Sequence, residues 1–552
     1  MRKVFFIFYF FIFGTAFAHA QNESDFVRIQ LIGINDFHGN LEPPTGSLGT
    51  INGISAGGIE YLATHIKNLK ENQRHSLILS AGDLFGASPL LSALFDDKPT
   101  IEAMNLLGLD INAIGNHEFD KGWEKMQKLI LGECSGKMCG EKDKFGGAQF
   151  EMLASNVIID KTGKTLFPSY SVRQFGAVKI AIVGVVLKDA PNVIAKDSIE
   201  GLTFKDEAQT VNALIPELKS QGVSTIILLI HEGGFNAGDY NGCKGISGPI
   251  VNIVQKLDDE VGVVLSGHTH QAYNCNINDK IVTSAASYGR LVTEIFIDVD
   301  VESGQLIRSA ADNIVVTRTV KKDIEQSALI KKYQSMAAPI TQKIVGTIQE
   351  SFTKQVNRAG ESTLGKMIAD AQLETTNKLS KQESSVAFVN PGGIRTDIVY
   401  ASSSNNEGDG KVNFGEVYAV QPFGNSIISM MLSGQQIVDI LEQQFVGCGA
   451  SKKRVLQVSK GFSYQYDERG PACHKVIPSS IFINQKALVL EENYRVCANS
   501  FLADGGDGFS GFNKGWDKTI GVLDIDALAN YLESHPNLST QQQGSRVSVV
   551  EH

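Results

Sequence analysis

The chain of 552 residues carries a formal net charge of −10, is 42% hydrophobic and contains seven cysteines. Its length predicts two to four domains with ample core. The acidic balance, without a basic stretch that stands out, excludes binding to a nucleic-acid polymer through a phosphate-tracking patch, so a substrate phosphate would have to be held by a few local cations, by metal, or by both.

The N-terminus reads as a cleavable secretory signal: Arg2 and Lys3, an aromatic-rich apolar run over 4–13, and the small-x-small step Ala18-His19-Ala20. That run is too short for a permanent anchor, no Cys stands at the cleavage point, and no later segment is long and apolar enough to span a bilayer. The expectation is a mature chain from about Gln21, periplasmic or secreted, without a stable membrane anchor. The plain signal and the absence of an apolar C-terminal tail point to a bacterial protein. The cysteines suit an oxidising compartment. Proximity pairs Cys134 with Cys139, Cys243 with Cys275 and Cys448 with Cys473, leaving Cys497, although connectivity cannot be deduced from sequence. Half a zinc site at Cys134-x4-Cys139 is the alternative for the first pair, but no second Cys/His pair of suitable spacing follows.

From residue 27 to about 316, apolar β-branched runs alternate with helical patterns, as in a layered α/β domain. Five of these runs end in metal-ligand chemistry. Residues 27–34 precede Asp36-Phe-His38, 77–79 precede Gly82-Asp83, and 111–114 precede Gly115-Asn116-His117-Glu118. Residues 226–230 precede His231-Glu232, and 261–265 precede Gly267-His268-Thr269-His270. Buried strands read as such near-continuous runs, and ligands gather beyond their carboxyl ends. Asp, His, Asp, Asn and three more His at five strand ends describe one dinuclear site, suited to Zn, Mn, Fe or Co rather than to a thiolate-based structural zinc. Two cations about 3.5–4 Å apart can clamp a phosphoryl group and activate water near neutral pH. Asp83, alone after its strand, is the natural bridge, and the small Ala81 and Gly82 let the backbone come close. Residues 317–344, rich in Lys, Gln and Ala with Pro339 near the end, read as a connecting helix and hinge; a further surface helix of the first domain is the alternative. A second domain follows over 345–552, with a helix at 364–379, glycine turns at Asn390-Pro-Gly-Gly393 and Gly505-Gly-Asp-Gly508, an exposed loop at 402–410 and a frayed tail at 541–544.

The five motifs, in this order, resemble the calcineurin-like metallophosphoesterases. The longer forms Asn35-Asp-Phe-His-Gly-Asn40 and Gly115-Asn-His-Glu-Phe-Asp120 resemble its 5'-nucleotidase branch, which includes bacterial periplasmic UDP-sugar hydrolase/5'-nucleotidase and animal ecto-5'-nucleotidase. The likeness runs over nearly all of the mature chain. It implies an α/β fold: a four-layered metallophosphoesterase β-sandwich flanked by helices, then a C-terminal α/β 5'-nucleotidase domain that binds the nucleotide. It implies two divalent metal ions (Zn, Mn or Co), one on Asp36, His38, Asp83 and His270, the other on Asp83, Asn116, His231 and His268. His117 and Asp120 resemble the family's catalytic dyad, an imidazolium donating to a phosphoryl oxygen and the carboxylate that holds and charges it. A plain helix cap is the bland reading of Asp120. Glu118 reads as structural, Asn156 as a turn-stabilising amide, and His75 as ordinary.

Three C-terminal segments select a substrate: Asn390-Pro-Gly-Gly-Ile-Arg395, Gln421-Pro-Phe-Gly-Asn425, and Asn499-Ser-Phe-Leu-Ala-Asp-Gly-Gly-Asp-Gly-Phe509. Two facing rings can sandwich any base. By the resemblance, Phe423 and Phe501 stack on the base, Asp507 and Arg395 hold ribose hydroxyls or phosphate, Arg358 adds a second cation and Asn390 an amide. Pro391 stands where Gly is more usual, removing one N–H. The activity implied is an exported, metal-dependent 5'-nucleotidase acting on nucleoside 5'-monophosphates, with UDP-sugars and nucleoside di- and triphosphates within reach of the same machinery and a domain rotation carrying substrate to the metals. The alternatives are a 2',3'-cyclic-nucleotide phosphodiesterase/3'-nucleotidase, which commonly uses a Tyr clamp, and a secreted nucleotide-binding protein without turnover, against which the intact ligand set argues.

Overall fold

The computed structural model describes residues 25–44, 49–133, 145–379, 383–402, 406–450 and 452–550. The expected signal segment, the Cys134–Cys139 pair and residues 403–405 of the expected loop lie outside them.

Two six-stranded sheets form the first domain. Strands β1 (Phe26–Ile34), β2 (Ser76–Ser80), β3 (Ile111–Ala113) and β4 (Glu151–Leu153) run parallel side by side. The second sheet is built from β5 (Tyr170–Phe175), β6 (Val178–Val186), β7 (Ile226–His231), β8 (Val261–Ser266), β9 (Ala272–Ile277) and β10 (Lys280–Ala285). Strands β11 (Leu291–Asp300) and β12 (Leu306–Val315) return antiparallel to complete the first, giving the orders β12-β11-β1-β2-β3-β4 and β9-β10-β8-β7-β6-β5.

The period-two alternation of strand side chains decides the layers. Ile29, Leu31, Leu77 and Leu79 of the first sheet meet Ile227, Leu229, Val263 and Leu265 of the second in one buried cluster between the sheets. The opposite set on β1 and β2, including Ile32, Ile34 and Ile78, faces helices α1 (Ile59–Lys70) and α2 (Lys98–Leu107). Leu228 and Ile230 likewise meet α3 (Glu207–Ser220), whose N-terminus is capped by Asp206 accepting from Gln209 N at 3.0 Å. Strands buried on both faces are therefore why the runs are continuous rather than alternating, and the result is the four-layered sandwich expected. Each fully buried aliphatic side chain contributes about 1.5–3 kcal/mol.

Helix α4 (Ile324–Thr341) begins at Asp323, whose carboxylate accepts from Glu325 N and Gln326 N, and it contains Pro339 in its final turn. It packs Leu329, Ile330, Tyr333 and Ala337 into the core of the first domain, with the Tyr333 ring 4.8 Å from that of Phe95. The chain then enters a five-stranded sheet of β13 (Val386–Val389), β14 (Ser426–Ser433), β15 (Gln457–Val458), β17 (Asn493–Asn499) and β18 (Trp516–Leu523), in the order β15-β13-β17-β14-β18. Helices α5 (Thr363–Leu379) and α6 (Asp524–Ser534) cover one face. A second core on the other face takes in β16 (Phe462–Tyr466).

The expected frayed tail is corrected. Thr540 N donates to Glu350 at 2.8 Å, Gln543 Nε2 to Thr363 O at 2.9 Å and Lys366 Nζ to Gly544 O at 2.7 Å. The closing strand β19 (Val547–Val549) then pairs in parallel with β16. Gln541, Gln542 and Gly544 stay exposed, yet these hydrogen bonds fasten the stretch to the rest of the second domain. Cys243 pairs with Cys275 and Cys448 with Cys473, as proximity predicts, and Cys497 is a buried free thiol on β17. Among the described residues no helix is long and apolar enough to cross a membrane.

Candidate functional site

The carboxyl ends of β1, β2, β3, β7 and β8 lie along one rim of the sandwich, and the loops after them turn sharply. Asp36, His38, Asp83, His268 and His270 all have positive φ, between 48° and 69°, a region that non-glycine residues enter at a cost and that clusters at functional sites. Close approach of these loops needs glycine: a Cβ at Gly115 would sit 2.2 Å from Asp83 Oδ1, and one at Gly82 would sit 2.6 Å from His231 Nδ1.

These turns aim nitrogen and oxygen lone pairs at a common centre. His38 Nδ1 is hydrogen-bonded to Gly86 O at 2.9 Å and His231 Nδ1 to Ala81 O at 2.8 Å. Backbone acceptors on Nδ1 direct each Nε2 inward. His38 Nε2 then lies 3.1 Å from His270 Nε2 and 3.5 Å from Asp83 Oδ2. His270 Nε2 is 3.3 Å from Asp36 Oδ1, and His231 Nε2, buried without a geometrically satisfactory hydrogen bond, is 3.1 Å from Asp83 Oδ2. His268 Nδ1 faces Asn116 Oδ1 at 2.8 Å, while its own N–H donates to Asp36 Oδ2 at 3.0 Å.

Burial pushes the pKa of His38 well below its usual value, lowers His270, and brings His268 down to about 3. All three are neutral lone-pair donors near pH 7. Burial opposes charge on His231 as well, but Asp83 outweighs it and draws that pKa up to about 10. Converging acceptors with few donors among them, and a buried pocket that attracts positive charge, fit divalent cations. The ligand atoms of Asp36, His38 and His270 lie within 4.8 Å of one another, as do those of Asp36, Asp83 and His231. Asp36 is common to both groups, and Asp83 Oδ2 lies 3.5 Å from His38 Nε2 and 3.1 Å from His231 Nε2.

Glu118 organises this rim from beneath. Its buried carboxylate accepts from Gly115 N at 2.7 Å, Leu84 N at 2.8 Å and Asp83 N at 3.0 Å, tying the loops after β2 and β3 together. Asn156 does similar work, donating to Val186 O and Lys205 O and accepting from Val186 N. His117 N donates to Asp83 Oδ1 at 2.8 Å, and His117 Nδ1 lies 3.0 Å from both oxygens of Asp120. Burial opposes protonation of His117, but Asp120 and Asp83 outweigh it and raise its pKa above the ordinary range. Asp120 is not the N-terminal cap of a helix: the helix that follows starts at Trp123 behind Gly122, and Asp120 Oδ2 instead accepts from Ala87 N at 2.8 Å.

Beside this rim opens a cavity of about 620 Å³ between the domains, lined by His117, Asp120 and His268 and by all six second-domain candidates: Arg358, Asn390, Arg395, Phe423, Phe501 and Asp507. Phe423 stacks on the His117 ring at 5.7 Å and 26°, and the Arg395 guanidinium lies 5.6 Å from the Phe423 centroid. Arg395 Nη2 is buried without a hydrogen-bond partner among the described residues, and its charge reaches His38, His117 and His270. Phe501 packs on Gly506, where a Cβ would come within 2.5 Å of its ring. Asp507 accepts from Asn390 Nδ2 at 2.7 Å and from Arg454 Nη1 at 3.1 Å, and Asn499 Nδ2 donates to Asn390 Oδ1 at 3.0 Å.

Arg358 lines the same cavity, within electrostatic reach of Tyr466 and Glu468. The basic run Lys452, Lys453 and Arg454 lines it too, a feature the sequence reading missed: three consecutive cations following Cys448 are its signal, too short a run to stand out in a chain of net charge −10.

Residues 29–272 match the family described as calcineurin-like phosphoesterase, and residues 344–514 match the 5'-nucleotidase C-terminal domain. The chain is 27% identical to endonuclease YhcR of Bacillus subtilis over 95% of its own length but 41% of that protein's, so it spans about two fifths of this relative. It is 26% identical to a 5'-nucleotidase of Vibrio parahaemolyticus, over 97% of this chain and 94% of the relative. The fold is similar to the crystal structure of a 5'-nucleotidase precursor from Thermus thermophilus, with a TM-score of 0.76, 24% identity, and coverage of 95% of this chain and 100% of that one.

Proposed function

Because the chain belongs to the calcineurin-like phosphoesterases and carries a 5'-nucleotidase C-terminal domain, we propose that it is an exported, metal-dependent hydrolase converting nucleoside 5'-monophosphates to nucleoside and phosphate. One observation carries this reading: the His117 imidazole and the Phe423 ring are stacked at 5.7 Å in a single cavity that Phe501 and Asp507 also line. A base-stacking ring so close to a phosphate-side imidazole suits a substrate the size of a nucleotide. Export is supported by the leader-like N-terminus and by two disulfides.

Asp36, His38, Asp83, Asn116, His231, His268 and His270 would hold two divalent cations, with Zn, Mn and Co suited to the donor set. When bound, these supply Lewis-acid charge and nucleophile activation. The remaining work falls to the chain's own side chains. Phe423 and Phe501 take the base between them, and Asp507, fixed by Asn390 and Arg454, accepts from the ribose hydroxyls. Arg395 Nη2 donates to a phosphoryl oxygen. His117, kept protonated by Asp120, donates to an equatorial oxygen as negative charge builds. Residues 342–344, where the chain leaves α4, are the proposed hinge for a domain rotation delivering substrate.

The test is phosphate release from 5'-AMP, 3'-AMP, UDP-glucose and 2',3'-cyclic AMP in parallel, with Mn²⁺ or Zn²⁺ added. The expected result is preference for 5'-AMP; comparable UDP-glucose cleavage widens the substrate range. Turnover confined to the 3' and cyclic phosphoesters would overturn the proposed substrate.

A further inference from the structure

Five strand ends supply the candidate ligands. A sixth, that of β10, supplies none, yet its loop joins two of the loops that do. Strand β10 runs parallel beside β8, so residues 286–290 leave the sheet on the ligand rim. Ala286 and Tyr288 both have positive φ, 57° and 62°, a conformation that a non-glycine residue adopts at a cost. This path brings two backbone N–H groups to two different ligand loops. Ala286 N donates to Gln271 O at 3.0 Å, directly after His270, and Tyr288 N donates to Asp36 O at 2.8 Å. Asn35 Nδ2 adds a third tie, to Ala286 O at 2.7 Å. The loop therefore bridges the segments that carry Asp36, His38 and His270, three of the four residues expected to hold one cation.

The Tyr288 side chain, 5% exposed, sits against the same residues. Its ring meets that of His270 edge-on at 5.4 Å and 83°, and lies 5.8 Å from that of His38. The Arg290 guanidinium lies 5.5 Å from the Tyr288 centroid and is itself fixed, Nε donating to Ser287 O at 2.9 Å and Nη2 to Ser287 Oγ at 2.8 Å. His270 needs such support more than its neighbours do. His38 and His231 each have Nδ1 held by a backbone oxygen, the usual way a ligand imidazole is oriented. Among the described residues the polar contacts of the His270 ring run through Nε2, the atom facing His38 and Asp36, and its side chain is 26% exposed. Packing is what remains to fix the rotation of that ring. We propose that Tyr288 is a positioning residue whose ring takes the place of an Nδ1 hydrogen bond, orienting His270 for one of the two cations and leaving the other cation independent of it. This rests on the two-cation reading made above. The flat ring does this work, not the phenol hydroxyl.

The experiment titrates the metal-free protein with Zn²⁺ at buffered free concentrations and counts bound ions by elemental analysis. Wild type is compared with Tyr288→Ala, with Tyr288→Phe, and with Tyr288→Ala placed in His231→Ala and His270→Ala backgrounds. Wild type should bind two ions. Tyr288→Ala should keep one at wild-type affinity and weaken the other by about 10- to 100-fold, the range for residues that orient a ligand, whereas Tyr288→Phe should restore it. In the His231→Ala background the remaining ion should weaken by the same factor. In the His270→Ala background, where the ring has lost the imidazole it orients, the remaining ion should be unaffected. If Tyr288→Ala does not fold, Tyr288→Leu, which keeps apolar volume without a flat edge, takes its place with the same expectations. Weakening of both ions alike or of neither, a loss in Tyr288→Phe equal to that in Tyr288→Ala, or a further loss in the His270→Ala background overturns the role drawn for the ring and leaves the two-cation site standing. A wild-type protein that binds fewer than two ions overturns both.

Discussion

Glu118 is the residue whose removal most directly tests how the metal-ligand rim is held. Glu118→Ala deletes a carboxylate that is 2% exposed and accepts from three backbone N–H groups, at 2.7, 2.8 and 3.0 Å. Each orphaned buried donor costs about 1–3 kcal/mol, and partial relaxation with water entering the space places the total near the lower end, about 3–5 kcal/mol. At about 2–4 °C per kcal/mol for a domain of this size, the midpoint should fall by on the order of 10 °C. Calorimetry in excess chelator isolates this from metal binding. Glu118→Gln, which retains one acceptor oxygen, should lose roughly half as much. The same two loops carry Asp83 and Asn116, so metal content in the Ala variant should also fall. An Ala variant that melts within about 2 °C of wild type in chelator would refute the role drawn for this carboxylate.

His117→Ala should lower kcat by about 10²- to 10³-fold with metal content near that of wild type; loss of metal would sink the catalytic assignment. Phe501→Ala should weaken 5'-AMP by about 5- to 100-fold, as base–aromatic stacking of about 1–3 kcal/mol implies, and should barely change p-nitrophenyl phosphate. Equal losses on the two substrates would reject the base clamp. Prolonged chelation should abolish turnover, with Mn²⁺, Zn²⁺ or Co²⁺ restoring it, and His231→Ala should bind about one metal fewer per chain by elemental analysis. Burial pushes the Asp524 carboxyl up to about 7. An acid whose pKa is raised on folding loses its contribution to stability as pH rises from its unfolded value, about 3.9, through its folded one. Asp524→Asn should therefore melt increasingly above wild type between pH 4 and 7, and an offset independent of pH would contradict this.

The candidate ligands were legible because buried parallel strands leave an unmistakable pattern, an apolar run with a polar residue at its carboxyl end. Five such ends at once point to one centre. Phe423, Phe501 and Asp507 were singled out only through the resemblance of their segments to the 5'-nucleotidase C-terminal domain; the structure brings the three to one cavity. Glu118 was marked only as structural, since nothing local in Gly115-Asn-His-Glu shows that its carboxylate caps two different loops. The polar composition near residue 541 suggested fraying, whereas contacts with Glu350 and Thr363, nearly 200 residues earlier, hold it.

The order of apolar runs and the chemistry of their ends, properties of single segments, determined the layered α/β fold and pointed to a set of candidate metal donors at the strand ends. What only the tertiary structure decided is which segments meet. It set His117 against Phe423 across the domain seam, brought the Arg395 charge within reach of His38, His117 and His270, and put Arg358, Lys452, Lys453 and Arg454 on the same cavity. Charges far apart in the chain act on one substrate only after packing has removed the intervening water and brought them to one cavity, and no spacing rule along the chain encodes that distance.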